Sequence, residues 1–313
     1  MERAIDSSRR FYENQVAPMI KREFSQYEDR IAVGIVGEGS DCFGYDDFVS
    51  RDHDFGTGVV LWLTDEDMAL FGDELSKAYN EIIENHPGNN LTERLKERRG
   101  VMSISIFYNN ILDTDCYNEE CEMSEETWLS LDHTCLATAV NGEVFRDDLG
   151  YFTAFREMLL KYYPERVWKI RIVNELHRFA QSLQVNYARC MSRRDVVAAR
   201  LCHMQGLDAA MQLFFLMKRI YPPYYKWTYR RLCELDEDGK MSEWIKELAS
   251  TLGEDSMWEL SYDAHFLNVS DPVVRLSERI AGLIVSMLNE NGLTDSRDSY
   301  LERYVDEIMK SME

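Results

Sequence analysis

Ile31-Ala32-Val33-Gly34-Ile35-Val36 runs directly into Gly37-Glu38-Gly39-Ser40, and after eleven intervening residues comes Asp52-His53-Asp54, ahead of Val59-Val60-Leu61-Trp62-Leu63. The first apolar run reads as a buried strand that ends in a glycine-rich turn. A second strand is expected from about Asp52 through Leu63. Alternate residues of a strand share one face, so Asp52 and Asp54 are expected to point together, with His53 opposite. Two carboxylates on one face can hold a pair of Mg²⁺ (or Mn²⁺) ions, the arrangement used for in-line phosphoryl or nucleotidyl displacement. Gly39 lets backbone approach a phosphate closely, and Ser40 adds a hydroxyl beside the turn's N–H groups. Gly37, Gly39 and Gly44 do not make a dinucleotide-binding loop, because the third glycine is misplaced for that pattern.

Outward from this stretch, Arg9 to Tyr27 spaces its apolar residues as a helix does. Thr64 reads as an N-cap, with Asp65 to Asp67 in the first turn of a helix reaching towards Ile83. Val101 to Phe107 alternates apolar and small polar residues, predicting a half-buried strand, and a short closing strand is expected at Gly142 to Asp148. From about Tyr151 the pattern becomes helical: Phe155 to Tyr163, Val167 to Cys190, Arg193 to Ile220 and Pro272 to Asn291. In the third of these, Val197, Leu201, Met204, Leu207, Met211 and Phe214 form a stripe that predicts bundle core. The fold class expected is therefore α+β: a mixed sheet with helices over residues 1–150, then an all-α helical bundle over 151–313.

The Gly39-Ser40 turn with Asp52-His53-Asp54 resembles the signature of the DNA polymerase β-like nucleotidyltransferases. The longer run Gly37 to Asp41, with Gly44, Asp46-Asp47 and Ser50 to Asp54, is similar to a bacterial family of unknown function with that fold. Further matches to it are Gly142 to Phe145, Asp147 to Gly150, Tyr163-Pro164, Tyr221 to Tyr224 and Lys226-Trp227. The order of an α/β half and a helical half also resembles kanamycin nucleotidyltransferase. The resemblance implies an Mg²⁺-dependent transfer of a nucleoside monophosphate from an NTP, ATP foremost, with release of pyrophosphate. It implies Asp52 and Asp54 as metal ligands and catalytic residues, and Gly39, Ser40 and Lys226 as nucleotide-binding residues. Such enzymes carry a third carboxylate on a later central strand. Here Val101 to Phe107 offers Ser103 and Ser105 instead, and Asp147 or else Asp148 is the substitute expected from the closing strand.

The totals bound the partners. The 313 residues carry a formal net charge of −21, a field that repels phosphate backbones. The acceptor expected is a small cationic or hydroxylated molecule or a protein side chain, not extended nucleic acid. No run of about 18 apolar residues predicts a membrane span. The polar first ten residues do not read as a secretion signal. Seven irregularly spaced cysteines read as reduced thiols in a cytoplasmic protein, not as a disulfide framework or zinc site. Two other readings stand beside the enzyme. One is a catalytically silent NTP-binding or interaction module, motivated by the missing third carboxylate. The other is a helical ribonuclease-type toxin, motivated by Arg171 and His177, whose spacing loosely resembles such ribonucleases.

Overall fold

A computed structural model describes residues 3–50, 56–86, 97–253, 255–259 and 267–313. The chain divides into two compact units, Met1–Tyr162 and Tyr163–Glu313. The first is α+β and the second is helical among the described residues.

The first unit opens with helices α1 (Ala4–Phe11) and α2 (Ala17–Glu23), joined by a π-helical turn at Tyr12–Val16. Pro18 has no N–H to donate and crowds the preceding turn, and the widened turn stands where that cost falls. Strands β1 (Ala32–Ile35), β2 (Val60–Leu63), β3 (Gly100–Ser103) and β4 (Glu143–Arg146) form a sheet in the order β3-β2-β1-β4. β1 pairs antiparallel with β2 and β4, while β2 and β3 are parallel. A parallel pair needs a long crossover. It is supplied by α3 (Asp65–Glu84), started by Thr64, whose hydroxyl accepts from the Asp67 N–H at 3.1 Å.

Both faces of the central strands are covered. On one, Val33, Leu61 and Leu63 pack with Phe11, Met19 and Ile20 and with Phe71, Leu75 and Tyr79 of α3. On the other, Trp62 stacks on Phe152 with ring centroids 3.8 Å apart and meets Phe107 edge-on at 5.2 Å. That is why β1 and β2 read as unbroken apolar runs and not as alternation.

The strand expected at Val101 to Phe107 stops at Ser103. Its ladder partner β2 ends at Leu63, which pairs with Ser103. The Ser103 hydroxyl then accepts from the Ile106 N–H at 3.3 Å and starts helix α4 (Ile104–Leu112). Helices α5 (Glu125–Ser130), α6 (His133–Val140) and α7 (Tyr151–Leu160) complete the unit.

In the second unit, α8 (Glu165–Phe179) continues through a π-helical segment at Ala180–Asn186 into α9 (Tyr187–Ser192). Next come α10 (Val196–Lys218), α11 (Tyr225–Leu235), α12 (Lys240–Ser250), α13 (Pro272–Glu290) and α14 (Arg303–Lys310). α10 lies along α8, where the Trp168 indole donates to the Leu216 carbonyl at 2.8 Å. The helix expected from Arg193 begins at Val196 instead. Arg194 has φ +59°, and the Asp195 carboxylate caps the Ala198 N–H at 3.0 Å. The predicted core stripe is corrected as well. Phe214 is buried, but Val197, Leu201 and Met204 are 74%, 61% and 46% exposed. α10 buries the line of Ala199, His203, Gly206 and Ala210 instead. A Cβ at Gly206 would run into Leu183, so the small-residue face is the one that can come closest to its neighbour. No helix among the described residues is long and apolar enough to cross a membrane.

Asp271 ties the second unit together. Fully buried, it accepts from the N–H groups of Val273 (2.8 Å) and Val274 (3.3 Å) and from the Trp258 indole (2.8 Å). Asp271→Ala removes the α13 cap and strands the indole, so urea unfolding followed by tryptophan fluorescence should show a loss of roughly 2–4 kcal/mol. Asp271→Asn, which keeps a capping oxygen, should retain most of the stability.

Candidate functional site

The turn that leaves β1 is held from two sides. Gly37 (φ +117°) donates its N–H to Asn141 Oδ1 at 2.8 Å, and Asn141 Nδ2 donates to the Gly37 carbonyl at 2.8 Å. One side-chain amide therefore stands in for a strand partner and satisfies both backbone groups. Asn141 is itself positioned by Arg156, whose guanidinium donates to the Val140 and Asn141 carbonyls at 2.7 and 3.2 Å. Burial pulls the Arg156 pKa below its ordinary value. A side chain at Gly142 would strike the Ile35 carbonyl, so glycine is required where the two segments meet.

On the other side, Gly39 (φ +120°) is followed by Asp41, whose carboxylate fills the space that a Cβ at Gly39 would need. Asp41 Oδ1 accepts from the Cys42 N–H at 3.0 Å, and Oδ2 receives Arg99 Nη2 at 2.7 Å. The side chains of Arg99 and Asp41 are 4% and 9% exposed, so this pair is cut off from solvent. Burial opposes the charge on Arg99, but the surrounding thiol and carboxylate more than restore it and its pKa is raised. Arg99 also donates to the Arg98 carbonyl at 3.1 Å, while its Nε has no hydrogen-bond partner among the described residues. Cys42 lies against the same guanidinium at 3.5 Å, and burial, then the Asp41 charge, push its thiol up to about 12. Arg98 reaches the exposed Glu38 carboxylate at 3.0 Å.

The strand register decides which residues share this end of the sheet. β1 runs antiparallel to β2, so the chain enters β2 beside the turn, and a Cβ at Gly58 would lie 3.3 Å from Arg99 Cγ. Glu143 pairs with Ile35 and belongs to the turn end; its carboxylate meets Arg9. Asp147 follows Arg146, which pairs with Val33, so it lies towards the opposite end of β1. Its carboxylate accepts from the N–H groups of Gly150 (3.0 Å) and Thr153 (2.8 Å), an N-terminal cap for α7. β3 offers Gly100, Val101, Met102 and Ser103, none of them a carboxylate.

Asp52, His53 and Asp54 lie outside the described residues. Ser40 is in the turn, and its carbonyl accepts from the Tyr45 N–H at 2.8 Å. Lys226 belongs to the second unit, in the first turn of α11, with its ammonium 5.4 Å from the Trp227 ring and 5.5 Å from that of Tyr224. Arg171 lies over the Tyr163 ring, and His177 pairs with Glu302 at 2.7 Å. Among the described residues no three His, Cys, Asp or Glu side chains converge as a metal centre.

With the turn's geometry fixed, the comparisons with known proteins bear on part of the chain. A family model described as "Domain of unknown function (DUF4037)" matches residues 128–228. The similarity takes in Asn141, Asp147, Arg156 and Lys226, and begins well after the glycine turn. No curated protein and no solved structure matches the chain.

Reading the sequence finds the turn but not what holds it. Asn141, Arg98 and Arg99 are the residues it misses. Their only local signals are an asparagine before a glycine and a basic pair leading into a strand in an acidic chain. Removing Asp41 alone should be costly, because it leaves Arg99 as an uncompensated buried charge. Asp41→Ala should lose about 3–5 kcal/mol in chemical denaturation, and Asp41→Ala with Arg99→Met should recover a large part of it. A double variant that loses the sum of the losses of Asp41→Ala and Arg99→Met measured singly would show that the pair is not coupled.

Proposed function

We propose that the first unit catalyses Mg²⁺-dependent transfer of a nucleoside monophosphate from an NTP, with pyrophosphate leaving. The observation that carries this reading is the doubly anchored glycine turn at the end of β1. Its backbone lies beside Arg98 and beside the buried Nε of Arg99, which has no hydrogen-bond partner among the described residues. Backbone N–H groups fixed in such a turn, next to guanidinium groups, suit the oxygens of a triphosphate.

The metal donors in this reading are Asp52 and Asp54, hard oxygen ligands matched to Mg²⁺ or Mn²⁺. When bound, the metal would supply charge neutralisation of the triphosphate and polarise the phosphorus centre under attack. The rest falls to the chain. Gly39 and Ser40 would hold phosphate oxygens, and Arg98 would exchange Glu38 for an anionic oxygen. The fixed turn would keep the triphosphate oriented for in-line displacement. The net charge of −21 favours a small cationic or hydroxylated acceptor, or a protein side chain, over nucleic acid.

A second reading, a catalytically silent NTP-binding module, is favoured by two observations together: β3 carries no carboxylate, and Asp147 is engaged as a helix cap. A ribonuclease-type reading draws less support, since Arg171 and His177 are occupied with Tyr163 and Glu302.

The two leading readings separate in one assay. Each NTP is incubated with the protein, Mg²⁺ and a metabolite and protein extract, and pyrophosphate release is measured. The enzyme reading expects release that falls at least ~100-fold in Asp52→Asn and in Asp54→Asn, with melting temperatures held or raised as carboxylate repulsion is relieved. Near wild-type release from either variant would sink the metal-ligand assignment. NTP binding without release would favour the silent module.

A further inference from the structure

Helix α8 does not stop at Phe179 but widens into the π-helical segment Ala180–Asn186 before α9. A π-helical turn takes in an extra residue, which re-aims the side chains along it, and such turns recur at functional sites. Here the segment forms one wall of a cavity of about 490 Å³, facing α13 and the stretch around Tyr300. That volume lies within the ~300–1,000 Å³ of small-molecule sites, which often open between packed helices. Every residue that lines the cavity belongs to the second unit.

Two charged side chains line it, Glu278 of α13 and Arg189 of α9. Glu278 is half-buried and held by neutral donors: Gln184 Nε2 reaches one oxygen at 2.9 Å, and the Ser299 hydroxyl reaches the other at 2.6 Å. Gln184 is fixed in turn, since it also donates to the Ser299 carbonyl at 2.8 Å and accepts from the Leu301 N–H at 3.0 Å. No Lys, Arg or His among the described residues forms an ion pair with Glu278. Arg275, one turn earlier on α13, gives its guanidinium to the Val269 carbonyl at 3.0 Å instead. Two further carboxylates close to Ser299 in sequence are matched elsewhere, Glu302 by His177 at 2.7 Å and Asp298 by Arg303 at 2.6 Å. Each oxygen of Glu278 therefore keeps room for one more donor. Arg189 gives one of the five N–H groups of its guanidinium to Asn186 Oδ1 at 3.4 Å. Asn268 is 8% exposed; its Nδ2 donates to the Met257 carbonyl at 2.9 Å, while its Oδ1 takes no hydrogen bond among the described residues. Trp258, Leu267 and Val274 give the lining an apolar part.

We propose that this cavity binds a free α-amino acid with a large apolar side chain. The two lining charges set the class. A phosphate or a dicarboxylate is opposed by Glu278, and a polyamine by Arg189, whereas a ligand that carries one charge of each sign satisfies both. The ammonium goes to Glu278 and to Asn268 Oδ1, which accept without donating. The carboxylate goes to Arg189, whose planar fork suits it. The side chain lies against Trp258, Leu267 and Val274, and loses its contact with water there.

Calorimetric titration of L-phenylalanine and of L-leucine into the full chain tests this, beside two analogues that each lack one charge. Phenethylamine has no carboxylate and phenylpropionate has no ammonium. At least one of the two amino acids should bind saturably with one site per chain. Both analogues should bind at least ~10-fold more weakly than phenylalanine, the loss expected when one hydrogen-bonded charge pair is missing. Glu278→Gln and Arg189→Met should weaken the amino acid by a similar factor, with melting temperatures close to that of the wild type. The analogue comparison needs no variant, so it stands even if a variant fails to fold. No binding of either amino acid, an analogue that binds as tightly as phenylalanine, or a folded variant with unchanged affinity overturns the proposal.

Discussion

The buried ion pair between Asp41 and Arg99 is the constraint on which the first unit's candidate site depends. It joins residues 58 positions apart in sequence, the turn after β1 and the approach to β3. Desolvating two charges costs several kcal/mol per ion, and their attraction offsets this only when the remaining donors are also engaged. Here Asp41 takes the Cys42 N–H, and Arg99 gives a second bond to the Arg98 carbonyl. Such a pair adds little to net stability over a well-packed apolar alternative. What it does is fix a backbone conformation, because any other path for the turn would leave one of the charges alone. Asn141 acts from the opposite side with neutral hydrogen bonds. Between them, the segment from Gly37 to Asp41 keeps one conformation without a regular secondary structure to impose it.

Much of the fold is legible in the chain, for local reasons. Thr64 followed by three acidic residues announces the start of α3, because hydroxyl capping and the helix dipole are short-range effects. Ile31 to Val36 and Val59 to Leu63 announce buried strands, since a strand covered on both faces has no polar side to show. The change to helical rhythm near Tyr151 announces the helical half. The α+β class follows from these features together.

What stays hidden is set by distant partners. Val101 to Phe107 alternates like a strand throughout, but a strand lasts only as long as its neighbour, and β2 ends at Leu63. The α10 stripe has the right periodicity, yet periodicity does not say which side will be buried. The small side chains of Gly206 and Ala210 allow the closer approach, and the apolar seam of Val197, Leu201 and Met204 is left outside. At the site the glycines declare themselves by composition, while the residues that lock them are 58 and 104 positions away from their partners. Asp147 looks like a catalytic carboxylate in the sequence and serves α7 as a cap. Nothing local distinguishes those two uses of an aspartate.

The central claim is that the anchored turn, with Asp52 and Asp54, holds a metal-bound triphosphate. Calorimetric titration of ATP into the protein tests it most directly, once with Mg²⁺ and once with excess chelator. Carboxylates repel a bare triphosphate and attract a metal-bound one, so the account predicts binding with Mg²⁺ that weakens about tenfold or more when the metal is removed. Equal affinity under both conditions, or no ATP binding with Mg²⁺ present, would contradict it.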